Sequence, residues 1–144
     1  MPTEAEWEYA CRAGTVTDYS FGNDTRFANQ YTVFAANRTE NCGSKLPNGW
    51  GLFDMHGNVT EWCQDFMEKY YGGHQEVTDP QGPASEPLLE RVLRGGWFTF
   101  GTRNIMSGTR DQVAISVSGL MYGFRVARTV SPKSWQRCEA LFLA

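Results

Sequence analysis

Asp54, Gly57, Val59 and Glu61 fall within eight consecutive positions of a 144-residue chain, and together they could ligate a hard cation. Calcium takes about six to eight oxygens, drawn from carboxylates and backbone carbonyls. Asp54 and Glu61 supply carboxylates. Gly57 lets the backbone curl so that its own carbonyl and that of Val59 face one point. A plainer reading has Asp54 capping a turn and Glu61 as a solvated or salt-bridged helix residue. The spacing is not that of an EF-hand loop, so on the residues alone both readings stand.

Other metal chemistry is less well supplied. His56 sits beside this segment and Cys63 lies two positions after Glu61, but a single histidine at a turn is read as a hydrogen-bonding residue. Cys11, Cys42, Cys63 and Cys138 are widely spaced, with no Cys-x-x-Cys pair of the kind zinc sites use. Four mostly buried thiols are expected. Trp7, Trp50, Trp62 and Trp97 could form a sugar-stacking platform, although at least three of them are expected in the core.

The elements that must carry these residues are short. Thr3 and Glu6 form a capping box ahead of a helix whose face is Trp7, Ala10 and Cys11, with Gly14 as its stop. Glu4, Glu6 and Glu8 suit the positive end of the helix dipole. Residues 15–48 read as irregular loop with at most one short strand, closed by a turn at Pro47-Asn48-Gly49. The prolines between Asp79 and Glu90 mark an exposed connection. Strands are expected at 91–98, interrupted by Gly95-Gly96, and at 113–117 and 122–126. The last residues, 129–144, read as a short amphipathic helix or a disordered extension.

Composition limits the function classes. The chain is 41% hydrophobic and 14% aromatic with 15 glycines, which suits one loop-rich domain whose rings supply the buried area. A net charge of -3 gives no basic field for nucleic acid. No stretch approaches the ~20 apolar residues of a membrane span. Met1 is followed at once by polar helix-start residues rather than by a secretory leader. The Asn-x-Thr triplets at Asn37 and Asn58 carry no weight by themselves.

Three segments then fall into a known pattern. Pro2-Thr3-Glu4-Ala5-Glu6-Trp7-Glu8-Tyr9-Ala10, the run Asn48 to Val59 with Glu61-Trp62, and Arg91-Val92-Leu93-Arg94-Gly95-Gly96 with Gly123-Phe124-Arg125-Val126-Ala127 follow one another in order. Together they resemble the formylglycine-generating, or sulfatase-modifying, enzyme family over residues 2 to about 128. The resemblance implies an α+β domain of the C-type-lectin-like variant fold, with small twisted sheets and much loop. It places a sulfatase-modifying-factor-like domain at 1–128, lacking an N-terminal portion that a missing half or a fused domain would supply, and an unrelated tail at 129–144.

The resemblance also bears on the chemistry. It makes Asp54, Gly57, Val59 and Glu61 calcium ligands and matches Asn29 to a second calcium site, so Ca2+ is the expected cofactor. Family members oxidise a sulfatase cysteine with a copper(I)-binding cysteine pair in the stretch corresponding to 97–110, where thiolates are the soft ligands such a site needs. That stretch has no cysteine here. The oxidase reaction is therefore not expected, nor is copper. Cys11 matches one half of a family disulfide whose other position holds Val126, so Cys11 is expected as a buried free thiol. Trp97, Phe98, Phe100, Arg103, Asn104 and Arg110 remain as candidate contacts for a protein, peptide or small-molecule ligand. The expected function is a catalytically silent, calcium-stabilised binding or accessory module. Two alternatives share the scaffold: a variable ligand-binding protein of a diversity-generating retroelement with residues 99–122 hypervariable, and an oxidoreductase of formylglycine-generating or iron-dependent type that needs a partner domain.

Overall fold

Thr3 opens helix α1 (Glu4–Arg12) as its sequence requires: the hydroxyl accepts from the Glu6 amide while the Glu6 carboxylate accepts from the Thr3 amide. Ala13 ends the helix in the left-handed region, with Gly14 following at positive φ. Trp7 and Cys11 are fully buried on one face, against Met55, Cys63 and Val92. Burial of a tryptophan on this scale is worth about 3–5 kcal/mol against alanine. The computed structural model describes residues 1–67, 80, 82–83 and 89–128; Cys138, His74, the tail and most of the proline-rich connection lie outside them.

The helix rests on a four-stranded sheet ordered β3-β2-β1-β4. β1 (Thr60–Phe66) is antiparallel to β2 (Glu90–Arg94) and parallel to β4 (Tyr122–Gly123), while β3 (Asp111–Ala114) is antiparallel to β2. β2 stops at Gly95-Gly96, both at positive φ, so these glycines end the strand instead of interrupting it. β3 and β4 are shorter than expected from the sequence. The central strand, β1, carries none of the usual signs, because its helix-facing side is Glu61, Cys63 and Asp65. Trp62 is turned to the opposite side, beside Tyr122. Accordingly only Trp7 of the four tryptophans is fully buried, and Trp50 is 47% exposed.

Between α1 and β1 the chain is loop with a 3-10 turn (Thr25–Phe27), the short helix α2 (Ala28–Tyr31) and an isolated bridge from Val33 to Gly57. The strand allowed for in this region is reduced to that bridge and a second one between Tyr19 and Gly22. His56 is 2% exposed and fastens the loop to its surroundings. Its Nδ1 lies 2.7 Å from the Ile105 carbonyl, and its Nε2 accepts from the Ser20 amide at 3.1 Å. That pairing puts the proton on Nδ1, with Tyr19 and Phe21 edge-on to the ring and Cys11 Sγ 3.7 Å from Nε2. Asn58, half of one Asn-x-Thr triplet, is buried and bonded to the Glu40 backbone.

Two predictions follow from this packing. At Gly57 φ is +89°, and an added Cβ would stand 2.2 Å from the Val33 carbonyl oxygen. Gly57→Ala is expected to cost about 3 kcal/mol or more, lowering Tm by roughly 10 °C. Gly101→Ala, where a Cβ meets nothing within 4 Å, should leave Tm unchanged.

Burial lowers the His56 pKa to about 4, against the opposing pull of the Ile105 carbonyl. The unfolded chain takes up this proton near pH 6.5 and the native chain only near 4, so the unfolded state binds more protons in between. Stability is therefore complete above pH 6.5 and falls as pH drops toward 4, by about 2 kcal/mol at pH 5. Melts of the parent and of His56→Gln at pH 7.5 and 5 should show this part of the acid sensitivity removed in the variant.

Candidate functional site

Glu61 stands at the centre of the sheet, opposite Arg94 of β2 on one side and Gly123 of β4 on the other. Its side chain is 7% exposed. Oε2 accepts from the Trp7 indole at 2.7 Å and from Arg125 Nε at 2.5 Å, and Oε1 accepts from Arg125 Nη2 at 2.6 Å. The two-pronged guanidinium contact is the strong, charge-assisted form of such a bond. Arg125 Nη2 also reaches the carbonyls of Phe53 and Asp54, at 3.2 and 3.4 Å.

The other residues matched to calcium are placed as follows. Asp54 takes the left-handed backbone at φ 57°, which aspartate tolerates, and its carboxylate accepts from the Gly43 amide at 2.7 Å. It ties its loop to the backbone at Gly43, while Glu61 is salt-bridged from a strand rather than a helix. Gly57 is pinned through its amide to the Gly95 carbonyl. The Val59 side chain packs beneath Gly123, where a Cβ would meet it at 2.8 Å. Asn29 lies exposed on α2. Calcium would have to share Glu61 with a guanidinium already held there, and the two positive charges oppose one another at short range. As folded, the set does not fit the ion. Among the described residues, no three His, Cys, Asp or Glu side chains converge on a point that could hold a metal.

A second cluster, more fully buried, joins α1 to β2 and to the segment after it. Arg94 has no exposed side-chain surface and lies over the Trp7 ring, bonded to Glu8 and to the carbonyls of Ser107 and Thr109. Arg110 grips Glu4 at 2.6 and 2.8 Å. Arg110, a candidate ligand contact on sequence grounds, is thus part of the framework. Arg94 and Glu4 show that the acidic residues of α1 answer buried arginines as well as the dipole.

The 97–110 segment, which has no cysteine, presents rings and amides. Trp97 and Phe100 stack with centroids 4.6 Å apart, and Tyr122 stands edge-on to Trp97 at 6.5 Å. The backbone under them is fixed: Ala36 donates to the Phe98 carbonyl, Ala35 to that of Phe100, and Phe98 to that of Asn58. A 3-10 turn (Thr102–Ile105) then leaves Arg103 and Asn104 exposed. Beside it is a cavity of about 190 Å3 bounded by Leu93, Gly96, Phe100, Asn104, Arg110 and Asp111.

The cysteines lie elsewhere. Cys11 and Cys63 are buried and free, and Cys42 is exposed, contrary to the expectation of mostly buried thiols for that residue. Burial drives the Cys11 thiol up to about 12 and raises that of Cys63 as well. Neither supplies a thiolate near neutral pH. Sequence reasoning missed Arg125 as a site residue, since its partner is 64 positions away and only the Gly-Phe-Arg motif marked it.

Comparison with known proteins places this geometry. The profile of the sulfatase-modifying factor enzyme 1-like domain matches residues 1–130. The formylglycine-generating enzyme of Streptomyces coelicolor is 32% identical over 158 aligned positions, covering 96% of this chain and 49% of that protein. A Chlamydia pneumoniae protein described as serine/threonine-protein kinase pkn1 is 37% identical over 134 positions, covering 91% of this chain and 21% of its own length. Among solved structures, Treponema denticola variable protein 1 superposes with a TM-score of 0.79 at 35% identity, over 86% of this chain and 45% of that one. The chain thus spans half or less of the length of these relatives, and the fold they share is the C-type-lectin-like variant. By its profile match, its relatives and its sheet, this chain belongs to the sulfatase-modifying factor enzyme 1-like domain family.

Proposed function

We propose that the chain is a ligand-binding module on the sulfatase-modifying scaffold that does not oxidise cysteine. The observation that carries this is the 97–110 segment: a stacked ring pair, a firmly held backbone and the exposed Arg103 and Asn104 stand where the oxidases need thiols. Its ligand is a protein or peptide. The adjoining 190 Å3 cavity is smaller than the roughly 300 Å3 lower bound of ordinary small-molecule pockets, and suits one inserted side chain. Trp97 and Phe100 offer ring faces beside it, and arginine with aromatic side chains is the mixture from which binding hot spots are built. Calcium forms no part of this reading, because Glu61 is committed to Arg125 and Trp7.

A second reading draws support from the likeness to a variable protein of Treponema denticola: the 99–122 surface would differ among copies while the sheet stays fixed. Sequencing the gene across related isolates distinguishes the two. Substitutions clustered in 99–122 favour the variable protein, and an even spread favours a single ligand.

The main proposal has its own test. Incubation with copper(I) and a sulfatase-derived cysteine peptide should yield no formylglycine by mass spectrometry. On a peptide array, Trp97→Ala and Arg103→Ala should each weaken captured sequences at least tenfold, about 1.4 kcal/mol, with Tm unchanged in Arg103→Ala, whose side chain is exposed. Formylglycine formation by the parent chain would sink the proposal.

A further inference from the structure

We infer that Arg125 is the resident cation of the Glu61 site, so that this chain is held together there by a guanidinium and not by a divalent metal. The site has four oxygens of two kinds facing one group. Both carboxylate oxygens of Glu61 lie 2.5–2.6 Å from Arg125 nitrogens, and the Phe53 and Asp54 carbonyls lie 3.2 and 3.4 Å from Nη2. This is the mixture of carboxylate and carbonyl donors from one loop and one strand that a hard cation would collect. A planar guanidinium with its fork of donors satisfies the same oxygens by hydrogen bonding.

The guanidinium also balances the charge of the carboxylate. Glu61 is nearly buried, and a buried carboxylate without a counter-charge is strongly destabilising. Arg125, 23% exposed along its side chain, supplies that charge from the segment just past β4. The Trp7 indole fills the remaining position on Oε2. The salt bridge and the indole bond beside it therefore join α1, the 53–54 loop, β1 and the residues after β4. Arg94 and Arg110 cannot take over this task, since both are held on the acidic residues of α1.

Calorimetry and melts of the whole chain decide the matter. The parent should show no heat of binding with calcium at about 5 mM, above the range of weak protein calcium sites, and the same Tm in calcium and in EDTA. Arg125→Met, which leaves Glu61 unpaired, should melt on the order of 10 °C lower. Arg125→Lys should recover part of that loss through charge alone. The double variant Glu61→Gln with Arg125→Gln should also recover stability, which separates removal of the pair from general damage to the fold. Stoichiometric calcium binding by the parent, a clear drop in its Tm on chelation, or an Arg125→Met variant that melts with the parent would each overturn the inference.

Discussion

A carboxylate buried on the central strand of a sheet has to be surrounded by donors, and in this protein that demand fixes where four separate segments lie. Glu61 draws the Trp7 indole down from α1 and the Arg125 guanidinium in from beyond β4. Four positions along the same face of β1, Asp65 receives the Glu4 amide at the start of α1. The helix is thus registered on the strand by two polar contacts as well as by the packing of Trp7 and Cys11. Buried polar groups of this sort contribute modestly to net stability when satisfied and cost heavily when they are not. They select one arrangement more than they strengthen it.

The same feature explains what the sequence concealed. The capping box at Thr3 and Glu6, the helix stop at Gly14 and the burial of Trp7 were legible because each rests on neighbours within a few positions. β1 was not. A strand is recognised by apolar residues on its buried face, and here that face reads Glu61, Cys63, Asp65 while Trp62 points the other way. The site was half legible for a related reason. Close spacing of Asp54, Gly57, Val59 and Glu61 suggests ligands for a common centre, and Asp54 and Glu61 do lie about one. What fills it comes from far along the chain, and spacing within a segment carries no information about that.

The chain carries the family fold without cysteines in its 97–110 segment. The paired arginines that brace α1, Arg94 and Arg110, are present together with the glycines that end β2. The thiols are absent from the segment these residues support, and the two buried cysteines have their thiols raised by burial, Cys11 to about 12. Function on such a scaffold resides in the groups that a segment displays, and this segment displays rings, an arginine and an amide.

The 97–122 segment is bounded by glycines that have no room for a side chain. A Cβ at Gly96 would lie 2.5 Å from the Asn104 carbonyl, and one at Gly123 would lie 2.8 Å from Val59. These points of attachment are intolerant of change, while Thr99, Arg103, Asn104 and residues 115–120 between them are exposed. Tolerance of substitution is thereby uneven along the chain: costly at the two crowded glycines and cheap at the exposed positions between them.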